Sequence, residues 1–423
     1  MARRTCSLLG AFTALLLAGC ATGQGQYYGG DGAPSTLYPG GLVPGETATV
    51  GGASAVAILA PLTGPNAERG ATLVRAAQLA LAAPGSPSLD VRDTGGTPAG
   101  AASAASAAIG AGDRLILGPL TAAETAAAAA PAKAAGVAML AFTNDSAQAQ
   151  PGVWTLGLTP AQQVARLVAA ASEQGKTRFA AVLPQNEFGN AMGAALTQAA
   201  AAAGAPAPDI RFHGDGNAAI AQAMRDVSDY ANRRGPIDAK IKADKELHTA
   251  QGRGDAADQQ RRTVPPPPFD ALLLADTGEK LAWLSTFLTY YDIDSSSVRL
   301  MGPALWAQPS TRAGASVGGA WYAAPDPAAR SSFDASYAAK YGAPPPGLAD
   351  FAFDAASMAR VMAQSGGISA ASLTRPDGFA GVDGVLTLQP DGSVRRGLAL
   401  FEVHGGGSTM VAPAPASLAP PGT

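Results

Sequence analysis

The stretch Ala55–Pro65, AVAILAPLTGP, contains the pattern that most of this chain repeats. Its apolar run Val56–Leu59 is typical of a strand buried on both faces, as in a parallel sheet. A polar turn follows, and residues 67–83 then place apolar side chains at helical spacing. In open α/β sheets, ligands bind at the carboxyl ends of strands, beside helix N-termini. The pattern therefore predicts that Thr63 and Gly64 lie where a small ligand would bind.

Two further strands in the first third of the chain end in the same way. Residues 114–120 read RLILGPL and precede Thr121, and residues 137–142 read VAMLAF and precede Thr143. Together with Thr63, these hydroxyls would lie at one edge of a parallel sheet and form the rim of a pocket. N-capping of the following helices is the alternative explanation, and the two roles are compatible.

The alternation of strand and helix begins again at Ala161, which indicates a second lobe built like the first. We therefore predict an α/β fold with two lobes, each a mostly parallel sheet flanked by helices. The chain would cross between the lobes near Leu158, Pro303 and Phe379. The predicted parts are lobe one at residues 53–157 and 304–378, and lobe two at residues 158–303 and 379–407.

Residues 225–268 differ in composition from the rest of lobe two. Between Arg233 and Arg262 there are eight Lys or Arg and five Asp or Glu residues, and the segment ends in Pro265–Pro268. The charges are typical of an exposed helical excursion, and proline cannot continue a helix. The segment is either a solvated insertion or an arm that docks a partner.

The C-terminal part of the chain reads as strand followed by low-complexity sequence. Residues 385–388 and 398–403, on either side of the turn Pro390–Gly392, predict a β-hairpin. The segment 408–423 is rich in Gly, Ala and Pro, and we expect it to be disordered.

The N-terminus has the features of an export signal. Arg3 and Arg4 precede a short apolar segment that ends in LAGC, which resembles the lipobox of bacterial lipoproteins. That resemblance implies a signal peptide at residues 1–19 and a lipid such as palmitate on Cys20. An ordinary secretory signal is the alternative. Residues 20–52, rich in Gly, Pro, Ser and Thr, predict a flexible tether.

Charge excludes one class of partner. Without Arg3 and Arg4 the basic residues number 29 − 2 = 27 against 32 acids, a net charge of −5. A mildly acidic chain lacks the basic surface that nucleic-acid binding requires.

The sequence offers little for catalysis. Residues 314–318 match G-x-S-x-G, but the preceding QPSTRA is not the strand that a nucleophile elbow requires. His213, His248 and His404 lack metal-ligand spacing, and no P-loop or G-x-G-x-x-G is present. We expect a protein that is not an enzyme and has no catalytic residue, metal or cofactor.

Several stretches together resemble the type 1 periplasmic binding proteins of the leucine/isoleucine/valine-binding class. They are VAILAPLTGP, LILGPLTAAE, VAMLAFTND, RFAAVLPQNEFG and GVLTLQPDGSVRRGLALFEV, and they extend over about residues 53–407. The resemblance implies a two-lobed fold that closes around a ligand.

The resemblance also implies a set of cleft residues. An amino-acid carboxylate would be held at Thr121, Ala141 and Thr143, beside Asn144, and its ammonium by Asp276. Phe188 matches the aromatic residue of the lobe-two turn, and the second crossing would bring Trp306 near the cleft.

A closer resemblance is to lipoproteins called penicillin-binding protein activators. The phrases LAFTNDS, GVWTLGLTPAQQVARLV, FDALLLAD, FLTYYDID and AWYAAPDPAAR are similar to theirs. This resemblance implies a periplasmic lipoprotein whose partner is a peptidoglycan synthase, with the lipid anchor in the membrane. The alternative is a solute-binding lipoprotein of an ABC-type amino-acid transporter. Ala21, in place of the Asp that retains lipoproteins at the inner membrane of enteric bacteria, favours the outer membrane.

Overall fold

The computed structural model describes residues 56–308, 317–405 and 407–418. Several predicted features lie outside the described residues: the signal peptide 1–19, Cys20, the tether 20–52, most of the G-x-S-x-G match at 314–318, and the last residues 419–423.

The first lobe contains a five-stranded parallel sheet in the order β2-β1-β3-β4-β5. Strand β1, Val56–Ala60, is buried along its whole length because helices cover both faces of the sheet. The elements of lobe one are β1 Val56–Ala60, α1 Ala67–Ala80, β2 Leu89–Asp93, α2 Pro98–Ala111, β3 Leu115–Leu117, α3 Ala122–Ala134, β4 Ala138–Ala141 and β5 Val153–Thr155.

The second lobe repeats this arrangement, with a charged two-helix insertion before its third strand. Its first elements are α4 Pro160–Glu173, β6 Phe179–Pro184, α5 Glu187–Ala202, β7 Asp209–His213, α6 Asn217–Val227, α7 Tyr230–Glu246, α8 Ala250–Gln260, β8 Ala271–Leu274, α9 Gly278–Tyr290 and β9 Arg299–Gly302. The predicted helical excursion within 225–268 is thus confirmed as the pair α7 and α8, which we call the arm.

The C-terminal third of the chain contributes to both lobes and to the connection between them. Its elements are β10 Trp321–Ala324, α10 Pro327–Tyr341, α11 Ala349–Gln364, α12 Ala370–Leu373, β11 Phe379–Gly381, β12 Gly384–Leu388, β13 Val394–Arg396, β14 Ala399–His404 and β15 Gly407–Ala412. The second large sheet has the order β15-β14-β10-β9-β8-β6-β7, and β11-β12-β13 form a separate antiparallel sheet. The predicted α/β fold with mostly parallel sheets flanked by helices is confirmed.

The predicted crossing near Pro303 is wrong. Strand β10 lies between β9 and β14 in the second sheet, so Trp321–Ala324 belongs to lobe two rather than lobe one. The chain returns to lobe one after Ala324, where α11 packs on α1 and Arg360 donates a hydrogen bond to the carbonyl of Ala80. Strand β10 pairs parallel with β9, the strand that precedes it in the chain, as consecutive strands commonly do.

Two predictions at the C-terminus also need correction. Strand β12 pairs with β13, with Leu388 opposite Val394, whereas residues 399–404 join the second sheet. The segment 408–423 is not disordered throughout, because β15 pairs antiparallel with β14 and Tyr322 hydrogen bonds Ser408 at 2.6 Å. The open edge of β14 supplies the backbone partners that make this polar strand stable.

No helix among the described residues is both long enough and apolar enough to cross a membrane.

Candidate functional site

A cavity of about 520 Å³ lies where the carboxyl ends of the lobe-one strands face lobe two. It is lined by the loops after β3 and β4, the crossing at Leu158, the start of α5 and one side chain of α11. The lining residues are Leu120, Thr121, Ala122, Phe142, Thr143, Asn144, Asp145, Leu158, Glu187 and Phe351. We call it the cleft cavity.

Three of the residues predicted from the sequence, Thr121, Thr143 and Asn144, line the cleft cavity together. Thr121 is the N-cap of α3: its hydroxyl donates to Glu124 Oε2 at 2.7 Å and accepts from the Glu124 amide at 3.3 Å. Thr143 is buried, and its hydroxyl accepts from the Asp145 amide at 3.1 Å. Capping and pocket formation thus occur at the same residue, Thr121.

Three other predicted residues do not line the cavity. The Thr63 hydroxyl donates to Asp93 Oδ2 at 2.7 Å, and the exposed Gly64 follows it in the same turn. Although burial raises the pKa of Asp93, hydrogen bonds from this turn and from Gly95 lower it below its ordinary value. Ala141 is buried in β4, and its carbonyl accepts from the Leu156 amide at 2.8 Å, so it is not free for a ligand.

At the start of α5, Glu187 rather than the predicted Phe188 lines the cleft cavity. Asn186 caps this helix by accepting from the Gly189 amide at 2.8 Å. Successive helical residues point about 100° apart, so only one of the two neighbours faces the cleft. Phe188 instead packs against the apolar core of lobe two.

The predicted Asp276 lies at the carboxyl end of β8 but does not face the cleft cavity as a free carboxylate. Its Oδ2 lies 2.9 Å from His213 Nε2, and both side chains are almost completely buried. The predicted Trp306 is also buried, and its indole N–H donates to the Asp276 carbonyl at 2.9 Å. Neither Asp276 nor Trp306 is among the residues that line the cleft cavity.

His213 is a functional candidate that the sequence analysis missed. It is the last residue of β7, and β7 and β8 both pair parallel with β6. Carboxyl ends of parallel strands meet at one sheet edge, so this topology is the signal that could have linked His213 to Asp276. Burial lowers the pKa of His213, but the hydrogen bonds to Asp276 and to the Gly214 carbonyl together raise it above its ordinary value.

The charges of the cleft cavity are exclusively acidic among the described lining residues, with Asp145 and Glu187 and no Lys, Arg or His. Asp145 accepts from the Ala147 amide at 3.0 Å and from Gln148 Nε2 at 3.0 Å. The site can therefore bind polar or ammonium groups through oxygen acceptors and hydroxyls. In the described part of the chain, no cluster of His, Cys, Asp and Glu is arranged to hold a metal ion.

Comparison with known proteins identifies relatives of the fold. No curated protein matches the chain at a significant level. Among solved structures, a putative branched-chain amino acid ABC transporter protein from Rhodospirillum rubrum is 20% identical, with 85% of this chain and 100% of that chain covered and a TM-score of 0.63. Full-length LpoA from Haemophilus influenzae is 17% identical with a TM-score of 0.62; 85% of this chain is covered, but only 59% of LpoA.

The C-domain of Haemophilus influenzae LpoA, described as a regulator of PBP1A, is matched over its whole length. It is 18% identical, with 85% of this chain covered and a TM-score of 0.58. At identities of 17–20%, these structural matches establish a common fold and nothing more specific. A family profile described as periplasmic binding protein matches residues 55–407, well over half of the 423 residues. The chain therefore belongs to the periplasmic binding protein family.

Proposed function

We propose that this protein is a periplasmic lipoprotein that activates a penicillin-binding protein, a peptidoglycan synthase, without catalysing a reaction itself. Its family consists of binding proteins and implies a periplasmic location. In this proposal Cys20 bears the lipid, residues 20–52 form the tether, and the outer membrane holds the anchor. Residues 56–418 would then act through a protein–protein contact.

The observation that supports this proposal most directly is the pairing of Asp276 with His213. An acid that binds a ligand ammonium must offer a carboxylate to the cleft, whereas Asp276 is buried and hydrogen bonded to His213 at 2.9 Å. A ligand would have to displace His213 from Asp276 and leave the buried imidazole without its hydrogen-bond partner, which is costly. This pairing weighs against Asp276 as the ammonium site that the resemblance to amino-acid binders implies.

The fold is compatible with such a role. The C-domain of Haemophilus influenzae LpoA, described as a regulator of PBP1A, has this fold and matches the present chain over 85% of its residues. We extend that role to this chain as part of the proposal. The present chain spans 59% of the length of full-length LpoA.

The decisive experiment measures peptidoglycan synthesis. The full-length chain in detergent is mixed with each purified penicillin-binding protein of its host, and glycan polymerisation and peptide cross-linking are followed. We expect one of the synthases to bind the chain and to accelerate severalfold. If every synthase keeps its basal rate at saturating concentrations of the chain, the proposal is wrong.

A second candidate function, solute binding for an ABC-type amino-acid transporter, is favoured by the cleft cavity itself. Its volume of about 520 Å³ lies within the range of small-molecule sites. Thr121, Thr143 and Asn144 could hold a carboxylate, and Glu187 an ammonium.

A thermal-shift series with the common amino acids tests this second function. A ligand at a hundred times its dissociation constant stabilises the folded chain by about 2.7 kcal/mol, an easily measured shift. Transport requires that the shift disappear in Thr143→Val, which alters the cavity, and persist in Thr63→Val, which lies outside it. Absence of any shift excludes transport of the amino acids tested and leaves the activator proposal standing.

A further inference from the structure

A buried cluster of carboxylates and guanidinium groups lies at the junction between lobe one and the three-stranded sheet. Asp350 and Asp354 are one turn apart on α11, and Asp383 occupies the turn between β11 and β12. These three side chains are between 2% and 4% exposed. Arg396 at the end of β13 and Arg330 on α10 complete what we call the hinge cluster.

The contacts within the hinge cluster leave several polar atoms without partners. Arg330 pairs with Asp350 and lies 3.9 Å from Asp383 Oδ1. Arg396 Nη1 lies 3.6 Å from Asp354 Oδ2 and 3.8 Å from Asp383 Oδ2, too far for hydrogen bonds. The buried atoms that lack a hydrogen-bond partner are Asp350 Oδ1, Asp354 Oδ2, Asp383 Oδ1, Arg396 Nε and Arg396 Nη1.

The charges of the hinge cluster do not balance if every acid is ionised. Three buried carboxylates face Arg396 and Arg330, and Arg330 is also paired with Asp334 at 3.0 Å. A buried carboxylate without a counter-charge is costly, so the group takes up a proton instead. Asp350 and Asp383 both lie around the guanidinium of Arg330, and a hydrogen bond from Asp350 lowers the pKa of Asp383. With a proton on one of the two, that carboxyl group can donate a hydrogen bond to the other, so that both gain a partner.

The cluster connects the parts that must move when the lobes open or close. The Val382 amide, in the β11–β12 turn, donates to Asp354 Oδ1 at 2.7 Å and so attaches this turn to α11 of lobe one. Arg396 Nη2 donates to the carbonyl of Leu156, in the segment that crosses between the lobes, at 2.8 Å. Residues 399–404 then continue into the sheet of lobe two.

We propose that the hinge cluster is a proton-operated switch, in which a proton shared by Asp350 and Asp383 keeps the β11–β12 turn packed on α11. Loss of the proton leaves an uncompensated negative charge between Asp350, Asp354 and Asp383. Repulsion then loosens the turn and frees lobe one relative to the crossing segment. The proposal goes beyond the proposed function, since it concerns the hinge and not the partner.

The pKa directions agree with this geometry. Burial, together with repulsion from Asp383, raises the pKa of Asp350 to about 8, and burial raises the pKa of Asp354 to about 7. Burial also raises the pKa of Asp383. An acid whose pKa is higher in the folded chain binds its proton more tightly there. The unfolded chain releases these protons near the ordinary pKa of Asp, whereas the folded chain keeps them. The free energy of unfolding therefore decreases as the pH rises from that ordinary pKa to the raised pKa values of the folded chain.

The test measures the unfolding equilibrium of the full chain by urea titration between pH 5 and 9, for the wild type and Asp383→Asn. The asparagine keeps the shape and a donor, and it leaves two acids facing two arginines. If Asp350 and Asp383 share one proton, the unfolding constant of the wild type should rise more steeply with pH than that of Asp383→Asn. Between pH 5 and 7 we expect the ratio of the two constants to increase about tenfold per pH unit. Asp113, whose pKa burial and the neighbouring Asp90 raise to about 7, contributes equally to both chains.

Asp377→Asn is the matched control, because Asp377 is exposed and pairs with Arg375 on the surface. It should retain the wild-type profile. Hydrogen exchange of residues 379–388, corrected for intrinsic rates, should accelerate above pH 7 in the wild type and remain constant in Asp383→Asn. Parallel pH profiles of the wild type and Asp383→Asn would overturn the proposal. If Asp383→Asn does not fold, Asp350→Asn, which removes the other site of the proton, gives the same two outcomes.

Discussion

The pairing of Asp276 with His213 shows how one neighbour determines what a side chain can do. We predict that Asp276→Asn lowers the pKa of His213 below its ordinary value, because burial remains and the stabilising carboxylate is lost. In the wild type the pair stabilises the fold at low pH, and this contribution is lost as the pH rises through the raised pKa of His213. An NMR titration of the His213 ring measures the change. Asp215→Asn, at an exposed acid that pairs with Lys280, is the control and should change this pKa much less. An unchanged pKa in Asp276→Asn would contradict the assigned hydrogen bond.

Individual site residues were predictable where a strand end fixes the backbone. Thr121 and Thr143 lie in the turns after buried strands, so their place beside the cavity could be predicted from the pattern. Glu187 and Phe188 could not be distinguished, because the exact start of α5 decides which of them faces the cleft. His213 was missed because its partner is 63 positions away.

Among the elements, the arm illustrates how a charged insertion is fixed to the fold. Arg233, near the start of α7, is buried and donates to carbonyl oxygens on both sides of the arm and on the loop after α9. They belong to Ser228, Pro265, Tyr291 and Asp292, at 2.6 to 3.1 Å. Arg234, the next residue, makes only a partly exposed ion pair with Asp238 at 2.8 Å.

These two neighbouring arginines provide a matched pair of variants. We predict that Arg233→Met reduces the free energy of unfolding by about 3 kcal/mol, because several buried carbonyls lose a charged donor. Arg234→Met should cost less than about 1 kcal/mol, as exposed ion pairs contribute little. Urea denaturation measures both values, and limited proteolysis within 230–262 should accelerate in Arg233→Met alone. Equal effects of the two substitutions would show that Arg233 does not anchor the arm.

Strand β15 was not predicted, because the amino-acid composition of this segment indicated disorder. Its Gly and Ser residues are typical of disordered tails, but the open edge of β14 determines its structure. We predict that deletion of residues 407–423 exposes this edge and increases self-association. Light scattering should detect dimers or larger species at concentrations where the full chain is monomeric. A truncated chain that stays monomeric and equally stable would show that β15 contributes little.

At the scale of the whole molecule, the sequence could predict the number of lobes but not the path of the chain between them. Repeated strand–helix units indicate parallel sheets, yet β10 reads the same whether it joins one sheet or the other. The assignment depends on long-range pairing with β14, about 80 residues later. Strand β12 was predicted at residues 385–388, but its partners were not. It pairs with the short strands β11 and β13, whereas the predicted partner at residues 398–403 joins the second sheet.

The hairpin of β12 and β13 is held between the lobes, which makes its tip a test of the whole assembly. The Trp154 indole donates to the Gln389 carbonyl at 2.7 Å from lobe one, and Gln162 Nε2 donates to the Val394 carbonyl at 2.9 Å from α4 of lobe two. Gly392, in the connecting loop, has φ +91°, and a Cβ there would lie 2.3 Å from backbone atoms of Gln150.

We therefore predict that Gly392→Ala reduces the free energy of unfolding by about 2 to 4 kcal/mol, the sum of backbone strain and steric overlap. Gly342→Ala is the control, because it has φ +77° but open space at its Cβ, so that only the strain of about 1 kcal/mol applies. Urea titration compares the two variants. Small-angle scattering should also show a larger radius of gyration for Gly392→Ala, since displacement of the loop separates lobe one from the hairpin. If both alanines cost the same and the radius is unchanged, the hairpin tip does not restrain the lobes, and the crossing segments alone must set their arrangement.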